Sequence, residues 1–257
     1  MPTRKNWLPF LVAGMVMLSC WMIYRARRRK DYPLIPLDKA MEHMKTGDLV
    51  LFSGREIPLD TPDQMVRRAL FLGATYVYRA FDACEWGHVA VVYRASKNGK
   101  LYFIHCELST HQDELAGEPV TGVQMTDLED KLRGYHGYCV WRPINREIPE
   151  ERVVDFLNLT YHFYYRIPGD VWMRFIDRIL NARRARCPKE PICYRTTEGM
   201  FCTEWVGAFY EFCGVFERSR APYKTYFLPS DFTYKGCNRY LSPNYSFDND
   251  GWEIEIT

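Results

Sequence analysis

The sequence predicts an α+β domain, an antiparallel sheet packed on helices, behind an N-terminal apolar segment. Three observations carry that expectation. Between residues 48 and 142, short apolar runs rich in Val, Ile, Tyr and Phe are bounded by turn residues, the signature of strands. From residue 149 onward the apolar spacing lengthens to that of helices, with Val153, Phe156, Leu157 and Thr160 on one side. Before both, residues 7–24 contain no charge.

That first segment would reach roughly 27 Å as a helix, close to the hydrocarbon thickness of a bilayer. Trp7 at one end, with Trp21 and Tyr24 at the other, suits an interfacial aromatic belt. The basic run Arg25-Ala-Arg-Arg-Arg-Lys30 ends it, and no small-residue cleavage site follows, so a retained single-span anchor is favoured over a signal peptide. The domain organisation expected is an anchor with its basic stop over residues 1–30 and one domain over 31–257. Five bases follow the span and only Arg4 and Lys5 precede it, which favours a cytosolic domain, or one facing the interior of a virion membrane.

The net charge of +2 hides an asymmetry. Seven of the 34 bases lie in residues 1–30, which leaves 27 bases against 32 acids, a net −5, for the rest. A domain of that sign is a poor partner for a phosphate backbone, so nucleic acid is disfavoured. The nine cysteines are odd in number and scattered, as expected of reduced thiols. Cys187 and Cys193 could contribute to a zinc site, but their spacing fits no standard knuckle, and neither metal nor cofactor is expected.

Element by element, residues 31–37 read as an extended linker held open by prolines, followed by a helix from 38 to about 45. Thr46-Gly47 turns into a strand at 48–53. Thr61-Pro62 starts a helix that Gly73 ends. Strands at 88–95 and 101–108 flank Asn98-Gly99, the strongest short hairpin signal, read as a two-residue turn. A strand near 120–125, a short helix at 127–133 and a strand at 138–142 follow. The second half predicts helices at 149–164 and 170–186, a loop at 187–197, and a helix from Phe201 or Cys202 that Gly214 ends. The bases Arg183, Arg184, Arg186 and Lys189 read as a solvated helix end, with a lipid headgroup contact as the alternative.

No P-loop, GxGxxG, GxSxG or HExxH occurs, which removes the commonest nucleotide, serine-hydrolase and zinc-protease readings. A thiol site remains. Cys202 stands where a loop becomes a helix, a position that lowers a thiol pKa and offers N–H groups to an oxyanion. It also shares a helical face with Trp205, Val206, Phe209 and Cys213, so it can equally be core. With a two-residue turn, His88, Ala90, Val92, His105, Glu107 and Ser109 share one face, and His88 and Glu107 become diagonal neighbours. A carboxylate that orients an imidazole is half of a Cys-His-acid triad, although such a pair also occurs as a plain surface feature.

Gly47-Asp48-Leu-Val-Leu, Trp86-Gly-His88-Val-Ala-Val-Val-Tyr93, the strand ending in Glu107, Phe201-Cys-Thr-Glu-Trp-Val206 and Leu228-Pro-Ser-Asp-Phe232 occur in that order. The chain thereby resembles the circularly permuted, papain-like branch of the NlpC/P60 superfamily, found in bacteria and large DNA viruses, in which the His strand precedes the Cys helix. The resemblance spans about residues 38–235. It implies a permuted papain-like fold with Cys202 as nucleophile, His88 as base and Glu107 as the polar third member. It also implies a hydrolase acting on a peptide or amide, or on an acyl-lipid as thioesterase or acyltransferase. The alternative is a membrane-tethered structural or virion protein on the same scaffold.

Overall fold

The computed structural model describes residues 30–53, 84–161, 200–221 and 227–256, together with Met17 and Trp21. Its elements are β1 (Leu34–Pro36), α1 (Leu37–His43), β2 (Leu49–Ser53), β3 (Trp86–Arg94), β4 (Leu101–Gln112), β5 (Pro119–Asp127) and α2 (Leu128–Arg133). There follow β6 (Cys139–Arg142), α3 (Glu150–Thr160), α4 (Cys202–Phe212), a 3₁₀ turn at Pro229–Phe232, α5 (Tyr234–Cys237) and β7 (Trp252–Glu255). The strands form one sheet in the order β1-β7-β6-β2-β3-β4-β5, antiparallel throughout except for β1 against β7.

Both faces of the centre of this sheet are covered, which is why β3 reads as an almost unbroken apolar run. Val89, Val91 and Tyr93 face the larger core with Ile104 and Cys106, under Phe156 of α3 and Trp205 and Phe209 of α4. Ala90 and Val92 face a second core with Phe52 and Phe103, under Leu37 and Ala40 of α1 and Leu128 and Leu132 of α2. Asp127 starts α2 by accepting the Asp130 N–H at 2.9 Å, so the expected helix at 127–133 has Asp127 as its cap.

The 31–37 linker is corrected in part. Leu34–Pro36 pairs in parallel with β7, and Glu253 N–H donates to Pro33 O at 2.9 Å. Proline is tolerated here because β1 is an edge strand with an N–H side that needs no partner. The hairpin is corrected too. Val91 pairs with Ile104 and Val92 with Phe103, not with His105. The ladder closes on Ala95 and Lys100, so four residues turn, not two. Gly99 N–H reaches Ala95 O at 2.8 Å with Gly99 at φ 70, while Asn98 spends its side chain on the Lys100 N–H. The slip is of two positions, and alternation has period two. His88, His105 and Glu107 therefore keep a common face.

Helix α4 is closely approached by the segment that leads into the 3₁₀ turn. A Cβ built on Gly207 would lie 2.2 Å from the ring of Phe227, itself buried against Phe216, Phe232 and Tyr240. Gly207→Ala is expected to destabilise the fold by about 2 kcal/mol despite its better helix propensity. A lower urea midpoint with unchanged slope would show it, and an unchanged midpoint would contradict it.

Among the described residues no helix is long and apolar enough to cross a membrane. The expected anchor at 7–24 lies outside them, save for Met17 and Trp21, which are helical and exposed. The expected helices at 61–73 and 170–186, the basic cluster at 183–189, and Cys187 and Cys193 also lie outside the described residues.

Candidate active site

The thiol is set by α4. Phe201 precedes the helix in an extended conformation, φ −93° and ψ 165°, and Glu204 accepts the Phe201 N–H at 3.1 Å. Cys202 is thus the first helical residue, at the positive end of the backbone dipoles. Trp205 locks the next turn. Its indole donates to Thr160 Oγ1 of α3 at 3.0 Å, and its ring stacks on Phe209 at 5.5 Å and 5°. Cys202 is 6% exposed and packs in the larger core.

The imidazole side is set by β3 and β4. His88 Nε2 lies 2.8 Å from His105 Nδ1, and His105 Nε2 lies 3.3 Å from Thr126 Oγ1. Glu107 Oε2 stands 3.6 Å from His105 Nδ1 and accepts from Lys131 Nζ at 2.8 Å. All three of His88, His105 and Glu107 are buried. Phe52 packs on His88 at 5.5 Å, and the two imidazoles meet edge to face at 5.0 Å.

One proton lies between His88 Nε2 and His105 Nδ1, and the 2.8 Å separation is met whichever ring donates it.

The structure brings His88 and Glu107 into one cluster, but through His105. The expected diagonal pair is a line of three. Alternation along β4 had placed His105 on the right face; its role was missed because the two-residue turn set it opposite Val92. Lys131 and Thr126 carried no signal of their own. Cys202 is not brought to this line: His88 packs on Phe52 of the second core, whereas Cys202 packs on the other face of the same strands, in the larger core. There Cys106, between His105 and Glu107 in sequence, turns the other way and donates its S–H to Met200 O at 3.1 Å. Cys106 thereby ties β4 to the segment that leads into the thiol.

Burial pushes the Cys106 thiol well up, with Cys202 and Glu204 nearby adding to it. Burial also raises Cys139, and pushes Cys213 and Cys237 up to about 12. These four stay protonated at neutral pH. Iodoacetamide applied to native protein at mildly acidic pH is therefore expected to mark Cys202 among the described cysteines. Label on Cys84 or Cys237 with Cys202 spared would overturn the thiol site.

What fold and site define together is an α+β domain with a buried imidazole–imidazole–carboxylate line on one face of the sheet and a cysteine at a helix start packed on the other. No protein-family model matches the chain, and no curated protein matches it.

Proposed function

We propose that this protein is a membrane-anchored cysteine hydrolase of the permuted papain-like type, cleaving an amide or peptide bond. The observation that carries the reading is the 2.8 Å hydrogen bond between His88 Nε2 and His105 Nδ1, buried on two strands whose other face carries the Cys202 helix. When Nε2 of His88 carries the shared proton, Nδ1 is the basic nitrogen, and an imidazole so held by a second one is an oriented general base.

The chemistry follows from these groups. His88 Nδ1 takes the thiol proton, and Sγ of Cys202 attacks the carbonyl carbon to form the C–S bond. The oxyanion is met by N–H groups of the first turn of α4. His88 returns its proton to the leaving amine as the C–N bond breaks. Water then attacks the thioester, giving its proton to His88, and the acid leaves with the thiol restored. The reading requires thiol and imidazole to meet past the start of β3. There the pairing jumps from Phe52–His88 to Ser53–Trp86, leaving Gly87 exposed and without a side chain in the way. Gly87→Val is accordingly expected to abolish turnover while the domain stays folded.

An activity-based thiol probe tests the proposal, with Cys202→Ala as control. Labelling that disappears in the control supports it; no labelling of native protein favours the non-enzymatic scaffold, for which the near-complete burial of Cys202 speaks. Hydrolysis of acyl-lipid in place of amide would move the substrate class without moving the site.

A cytosolic face goes with this reading. Asn158 and Asn244 head N-glycosylation sequons and both are exposed, so they would be available in a lumen. Expressed in eukaryotic cells, the protein is expected to carry no N-glycan. A mass shift removed by glycosidase would place the domain on the other side.

A further inference from the structure

We propose that His88, His105 and Glu107 form a binding site for a divalent transition-metal ion of the zinc class. The ligand atoms are His88 Nε2, His105 Nδ1 and a Glu107 carboxylate oxygen, all within 4.8 Å of one another. Tetrahedral zinc with bonds of about 2.0–2.1 Å needs its ligands roughly 3.3 Å apart. The two nearest pairs, at 2.8 and 3.6 Å, bracket that distance. Two imidazoles and one carboxylate on three sides leave a fourth position for water, a donor set that suits zinc and its neighbours and not calcium or magnesium.

The surroundings of these ligands point the same way. A metal-bound histidine is oriented by what its second nitrogen bonds to, and His105 Nε2 is held by Thr126 Oγ1 at 3.3 Å. A ligating carboxylate is steadied by a further hydrogen bond, and Lys131 supplies it at 2.8 Å. Lys131 is also the feature that limits affinity, since its cation stands beside an incoming dication. The site is thereby built for a metal but tuned against holding it tightly.

Binding needs a lone pair on both His88 Nε2 and His105 Nδ1, so the proton shared between the two rings at 2.8 Å has to move to another ring nitrogen or leave as the ion enters.

The test uses the full chain carrying Cys202→Ser, which has no activity to lose. Zn²⁺ titrated by calorimetry is expected to bind one ion per chain. Co²⁺ is expected to give visible bands of a nitrogen–oxygen site without a near-ultraviolet thiolate band. His105→Ala and Glu107→Gln in that background should each weaken Zn²⁺ by about 10–100-fold, and Lys131→Met should tighten it. Unchanged Zn²⁺ affinity in His105→Ala overturns the site, as does binding that Cys202→Ser abolishes, which would mark a thiolate–His88 site instead. If the native chain binds Zn²⁺ through the three residues but shows no thiol reactivity without metal, the site stands and the hydrolase reading fails.

Discussion

His105→Ala is expected to cost turnover about 10²–10⁴-fold, against about tenfold for Glu107→Gln. The order follows from contact. His105 hydrogen-bonds His88 directly, and on the hydrolase reading its loss leaves the proposed base without the partner that orients it. Glu107 acts one step further back, at 3.6 Å from His105, where it shares its charge with Lys131. Cys202→Ala and His88→Ala should each remove turnover and the covalent adduct altogether. The readout that separates positioning from folding is the pH profile of alkylation. In His105→Ala the reaction should revert towards ordinary thiol behaviour, near a pKa of about 8.5, while thermal melting moves little. Equal losses in His105→Ala and Glu107→Gln would mean that the line does not act as a relay.

The second large effect is on stability. Asp48 is fully buried at the start of β2 and accepts three N–H groups: Ile144 at 2.9 Å, Lys45 at 3.0 Å and the Trp141 indole at 2.8 Å. These bonds join β2 to β6 and to the turn after α1. Asp48→Ala leaves all three donors without their acceptor and is expected to destabilise the fold by about 3–5 kcal/mol. Asp48→Asn keeps one acceptor oxygen and should cost less. Desolvation pushes the Asp48 carboxyl up to about 7, the three N–H groups opposing it. Between about 4 and that value the native chain holds a proton that the unfolded chain has released. The contribution of this group to stability is therefore fully present below about pH 4 and is lost as pH rises towards 7. Urea unfolding at pH 5 and pH 8 should show that slope in the parent and not in Asp48→Ala.

Much of this was legible in the sequence because it depends on alternation and local turns. The strands at β2, β3, β4 and β6, and the helix beginning at Cys202, follow from apolar runs with turn residues at their ends. The shared face of His88 and Glu107 survived a wrong turn because the error was even. What stayed hidden needs distance. Asn98-Gly99 suits a two-residue turn or the end of a four-residue one, and only the packing of Val91 on Ile104 and Val92 on Phe103 decides. Lys131 reaches Glu107 across 24 positions, and nothing in α2 marks it. The strand β1 is three residues with a proline, which no local pattern distinguishes from a linker.

The pairing of β1 with β7 sets a timetable for synthesis. Leu34 lines up with Glu253, so a ribosome making about 5–20 residues per second emits the second strand roughly 10–45 seconds after the first. During that interval the hairpin of β3 and β4 has both its strands, and β1 has no described neighbour in the sheet. The nascent domain must carry this edge, with its exposed Leu34, open until β7 emerges. Stalling or truncation before Trp252 would leave an unpaired strand immediately after the basic run at 25–30, where a chaperone rather than the sheet would have to cover it.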